Sequence, residues 1–325
     1  MPFILSNNGF ITGVVFIKDA VEQEGSMAAE ILVTGATGTV GRILVRDLAL
    51  RGTEVRAGVH TPEKFDYIKM SGIEDARLEF GDNATLDRAL QDIHTVIIIT
   101  PFAREQVEFT RRIVDRARTI SSIKHIIDLS ILGAGDMPGS KFTRWHYEAE
   151  KYIEMSGIPY TFLRPNLYMQ NFVVYVQPAG NFMYIPLDGA RVSYIDVRDV
   201  AAVATEIAIQ GKEHYGAVYE LTGPESLSMD EVAQILTDEI GSHISYIPIP
   251  DDTARHVIES TGTPQWMAEG MIELFGMQKM GRYSKVNDFV ENILGRKAIS
   301  FDRFAHDYST VFKALVQHER QTHLH

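Results

Sequence analysis

The sequence predicts an α/β protein, a doubly wound parallel sheet carrying a smaller, mostly helical C-terminal lobe. From Glu30 onward the runs "EILVTG", "EVRAGV", "RLEFGD", "TVIIIT", "KHIIDLS" and "PYTFLRP" are separated by helix-length segments. Strands joined by crossover helices produce that alternation. Ile97 to Ile99 and Ile126 to Ile127 are apolar without a polar alternate, as expected of strands covered on both faces. Glycines Gly35, Gly38 and Gly41 fall where the first strand turns into the first helix.

At 325 residues, 45% hydrophobic and 23% charged, the chain can bury a large core. The formal charge is −12 with no long run of Lys or Arg, which excludes the footprint of a direct nucleic-acid binder. An acidic cofactor must therefore be held by local groups. The absence of cysteine excludes disulfides, Cys-ligated zinc and thiol nucleophiles, and fits a cytoplasmic location. No apolar run reaches the roughly 18 residues of a membrane span.

Residues 1–29 lack the charged start, long apolar stretch and cleavage site of a secretory signal. They read as a dispensable extension, a short hairpin at most, and Met27 can begin a complete domain by itself. Residues 30–223, closing on "VYELTG", form the nucleotide domain. Residues 224–325, with "SMDEVAQILTDEIG", "ISYIPIP" and further helical stretches, form the smaller substrate or partner lobe, to which 166–193 contribute. That lobe is expected over the carboxyl ends of the strands, where open α/β sheets bind ligands.

Strand "EILV" runs into Gly35-Ala36-Thr37-Gly38-Thr39-Val40-Gly41 and then helix "RILVRDLALRG". Glycines here let the backbone approach a pyrophosphate, and the last lets helix pack on strand. The helix start offers unpaired N–H groups and a partial positive charge. The turn reads as a Rossmann-type dinucleotide site, with Gly35, Thr37, Gly38, Thr39, Val40 and Gly41 around the phosphates.

After the second strand, NAD-preferring sites place Asp or Glu for the ribose 2′-OH, whereas a 2′-phosphate needs cations or donors. This chain has Val59-His60-Thr61-Pro62-Glu63-Lys64. With no acid at the strand end, and His60, Thr61 and Lys64 able to face a phosphate, NADP(H) is favoured over NAD(H). Asp82 and Asn83 are placed to touch adenine, and Thr100, Pro101 and Phe102 to line the middle of the cofactor. Each is also ordinary strand-end turn chemistry.

The stretch "KFTRWHYEAEKYIEMSGIPYTFLRP" holds Tyr147 and Lys151 four apart, the spacing of the dehydrogenase acid pair. Helix length argues against that role. A strand spans roughly 18 Å, which a helix rising about 1.5 Å per residue covers in on the order of 12 residues. Counting back from Gly157 sets Trp145 and His146 at the cofactor end and Lys151 more than a turn lower. Glu150 shares a helix face with His146 and is expected to raise its pKa. His146 is then the candidate catalytic residue, a charged donor to the ribose or to substrate oxygen, unless the two are only a surface pair. No third ligand accompanies them, so no metal is expected.

In order, "TGATGTVG", "VHTPEK", "FGD", "HYEAEKYIEMSGIPYTFLRPNLYMQNF" and "YIDVRDVAAVA" resemble the NmrA-like atypical short-chain dehydrogenases over roughly residues 30–310. The branch most alike holds NAD(P)H-dependent quinone oxidoreductases, triphenylmethane reductases and azoreductase-like proteins. The resemblance implies that His146 stands where the family has Lys, and that Phe142 takes the Tyr position, so that the pair is absent. It implies that Tyr168 and Asn171 lie against the nicotinamide half. Ser130 holds the position of the dehydrogenase serine, or simply ends its strand. Asp199 reads as a helix-start residue rather than a catalyst. His60 replaces the family's Arg, which weakens the expected clamp on a 2′-phosphate.

Two functions fit these residues. One is an NAD(P)H-dependent oxidoreductase moving hydride to a quinone, azo or dye-like aromatic acceptor in a pocket of Phe102, Trp145, Tyr168, Phe172 and Trp266. Such acceptors spread the developing charge, so solvent can protonate them and the Tyr–Lys pair is dispensable. The alternative is an NADP(H)-binding redox sensor with little catalysis, its C-terminal lobe engaging a protein partner. Epimerase-like or isoflavone-reductase-like carbonyl chemistry is a weaker third, because it needs the missing acid.

Overall fold

The computed structural model describes residues 29–174, 178–179 and 181–322, so the extension lies, except for its last residue, outside the described residues. In chain order the strands are β1 (Ile31–Val33), β2 (Val55–Val59), β3 (Ile73–Arg77), β4 (Thr95–Ile98), β5 (His125–Leu129), β6 (Tyr160–Pro165), β7 (Phe182–Ile185), β8 (Arg191–Val192), β9 (Ala217–Leu221), β10 (Leu227–Ser228) and β11 (Ser245–Pro248). The helices are α1 (Gly41–Leu50), α2 (Asn83–Leu90), α3 (Gln106–Ala117), α4 (Lys141–Met155), α5 (Asn171–Val174), α6 (Val197–Gln210), α7 (Met229–Ile240), α8 (Asp251–Ser260), α9 (Gln265–Lys279), α10 (Phe289–Leu294), α11 (Phe301–Asp307) and α12 (Ser309–Thr322).

Seven strands form one parallel sheet in the order β3-β2-β1-β4-β5-β6-β9. Strand order reverses between β1 and β4, which opens a crevice at their carboxyl ends. Val45, Leu48, Val200, Ile207 and Val290, from α1, α6 and α10, fill one face of the sheet. Leu86, Ile113, Val114 and Ile153, from α2, α3 and α4, fill the other. A further cluster gathers Phe172, Met183, Tyr194, Leu236, Phe301 and Phe304 beyond the strand ends.

Two strands depart from expectation. The run "RLEFGD" is not the third strand: β3 ends at Arg77, and Leu78 to Asp82 form the turn after it. As an exposed edge strand β3 needs no apolar run. The apolar residues that signalled a strand pack from the turn instead, Leu78 against Gly58 and Phe80 stacked on Phe109 with centroids 5.0 Å apart. "ISYIPIP" becomes β11, which pairs in parallel with β7 in a separate two-stranded sheet. Helix α4 starts at a Ser140 cap, whose Oγ accepts from Thr143 N at 3.2 Å, and Gly157 follows its end at φ 78°.

At the amino end of the strands His125 is buried, its Nε2 2.9 Å from Thr161 Oγ1, while Thr161 donates to His214 O at 2.7 Å. Thr161 has one proton, so His125 Nε2 is the donor to it and Nδ1, without a partner among the described residues, is the bare nitrogen. Burial, aided by nearby His214, holds the His125 pKa down to about 4 from 6.5. The unfolded chain therefore binds more protons between those values. Stability from neutral His125 is complete above pH 6.5 and drains away as pH falls toward 4. On moving from pH 7.5 to 5.0, the parent should lose about 2 kcal/mol more unfolding free energy than His125→Gln, whose Nε2 still donates to Thr161. Urea titrations with equal pH dependence for the two proteins would refute this.

Candidate active site

The chain leaves β1 through Gly35, at φ 60°. A Cβ on Gly35 would press on Ile99 O, and one on Gly41 would overlap Gly35 O and Ala36 Cα. At Gly38 only Gly35 O, at 3.2 Å, is within reach. Gly35 and Gly41 therefore serve the turn's own packing, whereas Gly38 and Thr39 are exposed in front of α1 and Thr37 is half-buried. Val40, which precedes α1, makes no side-chain cap. Arg42 N and Ile43 N donate to Gly38 O and Val40 O, which leaves the N–H groups of Thr39, Val40 and Gly41 without an acceptor among the described residues and open to a ligand. Thr34, which the sequence did not single out, joins the crevice walls: its Oγ1 donates to Ile99 O (3.1 Å) and accepts from Ile99 N (2.8 Å). Its signal was a threonine immediately before the first glycine.

His60 and Lys64 follow β2, exposed and outside any ion pair among the described residues. Arg42, in the first turn of α1, is equally exposed and free of ion pairs there, and was not anticipated. Asp82 caps α2, accepting from Ala84 N at 2.9 Å, and Asn83 is exposed beside it. Thr100, Pro101 and Phe102 leave β4 at the crevice, the last two exposed.

The register of α4 is set by Glu150. Its carboxylate accepts from Ser130 Oγ at the end of β5 (2.6 Å) and from Arg164 Nε (2.9 Å) and Nη2 (2.5 Å) on β6. Glu150 thus lies level with the strand ends, and His146 stands one helical turn above them. The expected His146–Glu150 pair does not form, because Glu150 is drawn onto the arginine and serine. Gln106 takes that place, its Nε2 2.8 Å from His146 Nε2. An amide nitrogen only donates, so the imidazole accepts at Nε2 and carries its proton on Nδ1. The expectation of a charged imidazole is reversed as well. Part of the residue is accessible, yet desolvation of the ring pulls its pKa down to about 4. Below it Asp128 is enclosed, its Oδ2 without a partner among the described residues, and burial beside Glu150 raises its pKa well above the usual range.

Tyr147 and Lys151 occupy the outward side of α4. The Lys151 ammonium lies 5.1 Å above the Tyr147 ring and 2.6 Å from Glu154, and both residues are exposed. Phe142 faces inward and is buried. It touches Phe102 at 4.3 Å and Trp145 at 5.9 Å between centroids, and Trp145 reaches Trp266 at 5.7 Å. The aromatic pocket expected from sequence thus keeps Phe102, Trp145 and Trp266, with Phe142 in place of Tyr168 and Phe172. Tyr168 packs on the sheet's core, and Phe172 is buried edge-on to Tyr194 and Phe301.

Helix α9 roofs this wall. Gly270 lies on the Phe142 ring so closely that a Cβ would overlap it. Lys141 Nζ pairs with Glu269 at 2.9 Å, and Lys141 N donates to Glu273 at 2.5 Å. Beneath the same helix Asn171 faces a mostly apolar cavity of about 100 Å³. Asp199 is structural, accepting from Arg296 (2.7 Å) and Ile299 N (2.6 Å). The two outer glycines and the middle one should respond differently to a side chain. Gly41→Val should destabilise the fold, whereas Gly38→Val should stay folded and lose at least about tenfold in NADPH affinity. Unchanged affinity by calorimetry in a folded Gly38→Val protein would contradict the phosphate assignment.

A model of the NmrA-like family matches residues 27–311. An NAD(P)H azoreductase from Xenophilus azovorans is 32% identical over 287 residues, covering 87% of this chain and 99% of the relative. Quinone oxidoreductase 2 of Escherichia coli is 30% identical over 244 residues, covering 74% and 84%. Among solved structures, an Escherichia coli NADPH-dependent quinone oxidoreductase complexed with NADPH superposes with a TM-score of 0.78 at 24% identity, over 85% of this chain and 99% of that one. Match length and identity together establish that the chain belongs to the NmrA-like family.

Proposed function

We propose that the protein is a reductase that passes hydride from NADPH to a flat, delocalised acceptor such as a quinone, an azo compound or an aromatic dye. The observation that carries this reading is the wall of Phe102, Phe142, Trp145 and Trp266, built beside the crevice that opens between β1 and β4. Similarity to an azoreductase and a quinone oxidoreductase supports it.

The crevice suits a dinucleotide, with the exposed Gly38 at its floor and a helix start without a side-chain cap behind it. Gly35, Thr37, Gly38, Thr39, Val40 and Gly41 would hold the pyrophosphate, and Thr100, Pro101 and Phe102 the middle of the molecule. Asp82 and Asn83 would border the adenine, and Tyr168 and Asn171 the nicotinamide half. When bound, the dihydronicotinamide supplies the hydride. Ser130 already donates to Glu150, so toward a ligand it presents lone pairs rather than a proton. His146, engaged by Gln106 at Nε2, keeps an Nδ1–H to offer a ribose hydroxyl. No strong acid faces the wall in this reading, and Tyr147 and Lys151 do not act as the dehydrogenase pair. An acceptor that spreads charge over its rings can take its proton from solvent.

Incubation with NADPH and a panel of quinones and azo dyes should show acceptor-dependent loss of reduced-nicotinamide absorbance. Tyr147→Phe combined with Lys151→Met should retain most of that rate. His146→Ala should weaken NADPH binding by about tenfold or less, the scale of one hydrogen bond, and not by the 10²- to 10⁴-fold of a general acid. Inertness toward the whole panel would favour a cofactor-sensing protein, and loss of turnover on Tyr147→Phe alone would restore the Tyr–Lys pair.

His60, Lys64 and Arg42 favour a 2′-phosphate, with no acid ending β2 to select the 2′-OH. NADPH should bind several-fold tighter than NADH. His60→Arg should widen the gap by tightening NADPH alone. Equal binding of both cofactors, unchanged in the Arg variant, would overturn the preference.

A further inference from the structure

We infer that the cavity beneath α9 is a subsite for a short aliphatic substituent on the acceptor. The inference rests on the reductase reading and adds which acceptors it selects. The cavity holds about 100 Å³, and its walls, including Leu167, Ile185, Leu187, Met271 and Leu274, are apolar but for Asn171, Gln278 and the Tyr194 hydroxyl. Its place is defined by neighbours in sequence. Gly270 lies on the Phe142 ring of the aromatic wall, and Met271, the next residue, faces the cavity. Wall and cavity are therefore lined by consecutive residues of one helix.

Asn171 also lines the cavity, and its side-chain amide has no partner among the described residues. It can donate to an oxygen on the acceptor ring while the substituent enters the apolar space. Size limits that substituent. A cavity of about 150 Å³ lined by Leu, Ile and Phe takes up benzene, with six carbons, so about 100 Å³ accommodates on the order of four. A second fused ring is too large, and a long chain must turn back out. Each buried carbon should tighten binding about fourfold until the space is full.

The test uses a series of 2-alkyl-1,4-naphthoquinones, from unsubstituted to octyl. Binding to the NADP⁺-loaded full-length protein is read from quenching of Trp145 and Trp266 fluorescence, and kcat/KM is measured separately with NADPH. Affinity should rise about fourfold per carbon to propyl or butyl, then level off or fall. Leu274→Trp, which fills the cavity, should flatten the series, and Leu274→Phe should do so in part if the Trp variant fails to fold. A flat series in the parent overturns the subsite, and so does one that climbs unbroken to octyl. Turnover of the unsubstituted quinone alongside a flat series would sink the subsite and leave the reductase reading standing. Chain-length-dependent binding without turnover would keep the subsite and sink the reductase reading.

Discussion

The carboxyl end of the sheet depends on one buried carboxylate. Glu150 belongs to α4, yet its bonds go to Ser130 at the end of β5 and to both reachable nitrogens of Arg164 on β6. One side chain therefore fixes a helix against two strands. The pair is largely out of water, with side-chain exposures of 1% for Glu150 and 17% for Arg164, and removing one partner of such a pair typically costs about 3–5 kcal/mol. Because a helix repeats every 3.6 residues, pinning Glu150 also pins His146 one turn higher and Phe142 two turns higher. Tyr147 and Lys151 are turned outward by the same constraint.

That clamp also settles the electrostatic character of the site. It attracts the carboxylate that His146 would otherwise pair with, and it holds Ser130's proton. What remains on the outer turns of α4 is an imidazole kept neutral by desolvation, while Asp128 lies enclosed beside Glu150 and favours its protonated form. Such surroundings suit a reaction in which charge spreads over the acceptor, and they offer little to a localised alkoxide that needs an acid at once.

Most of the sheet was legible because strands covered on both faces must be continuous β-branched runs. β3 was not, since an edge strand carries no such demand and the nearby apolar residues belong to a turn. The pairing of β11 with β7 joins segments distant in the chain and leaves no local trace. The position of the glycine turn was readable, since its spacing answers to local backbone geometry, whereas Thr34 and Arg42 beside it stand outside that spacing and were missed. Glu150 was misread for a definable reason: a four-residue spacing from His146 fits a helix pair as well as a clamp. The choice is made by Arg164, whose nearness depends on how β6 returns beside β5. The aromatic wall was legible in Phe102, Trp145 and Trp266, whereas Phe142 was read only as a missing tyrosine and Tyr168 and Phe172 are drawn into the hydrophobic clusters.

The path of the chain between its hydrophobic clusters has one more consequence. Met169, Phe172, Met183, Ile185 and Tyr194 leave the sheet to pack with α7, α11 and α12, the chain then returns for α6 and β9, and after α9 it comes back again to lay Val290 on the sheet's own core. No single cut separates the two cores, since either product would keep part of the other's interior. Loss of one exposes apolar surface of the other. The molecule is therefore expected to melt as one cooperative unit.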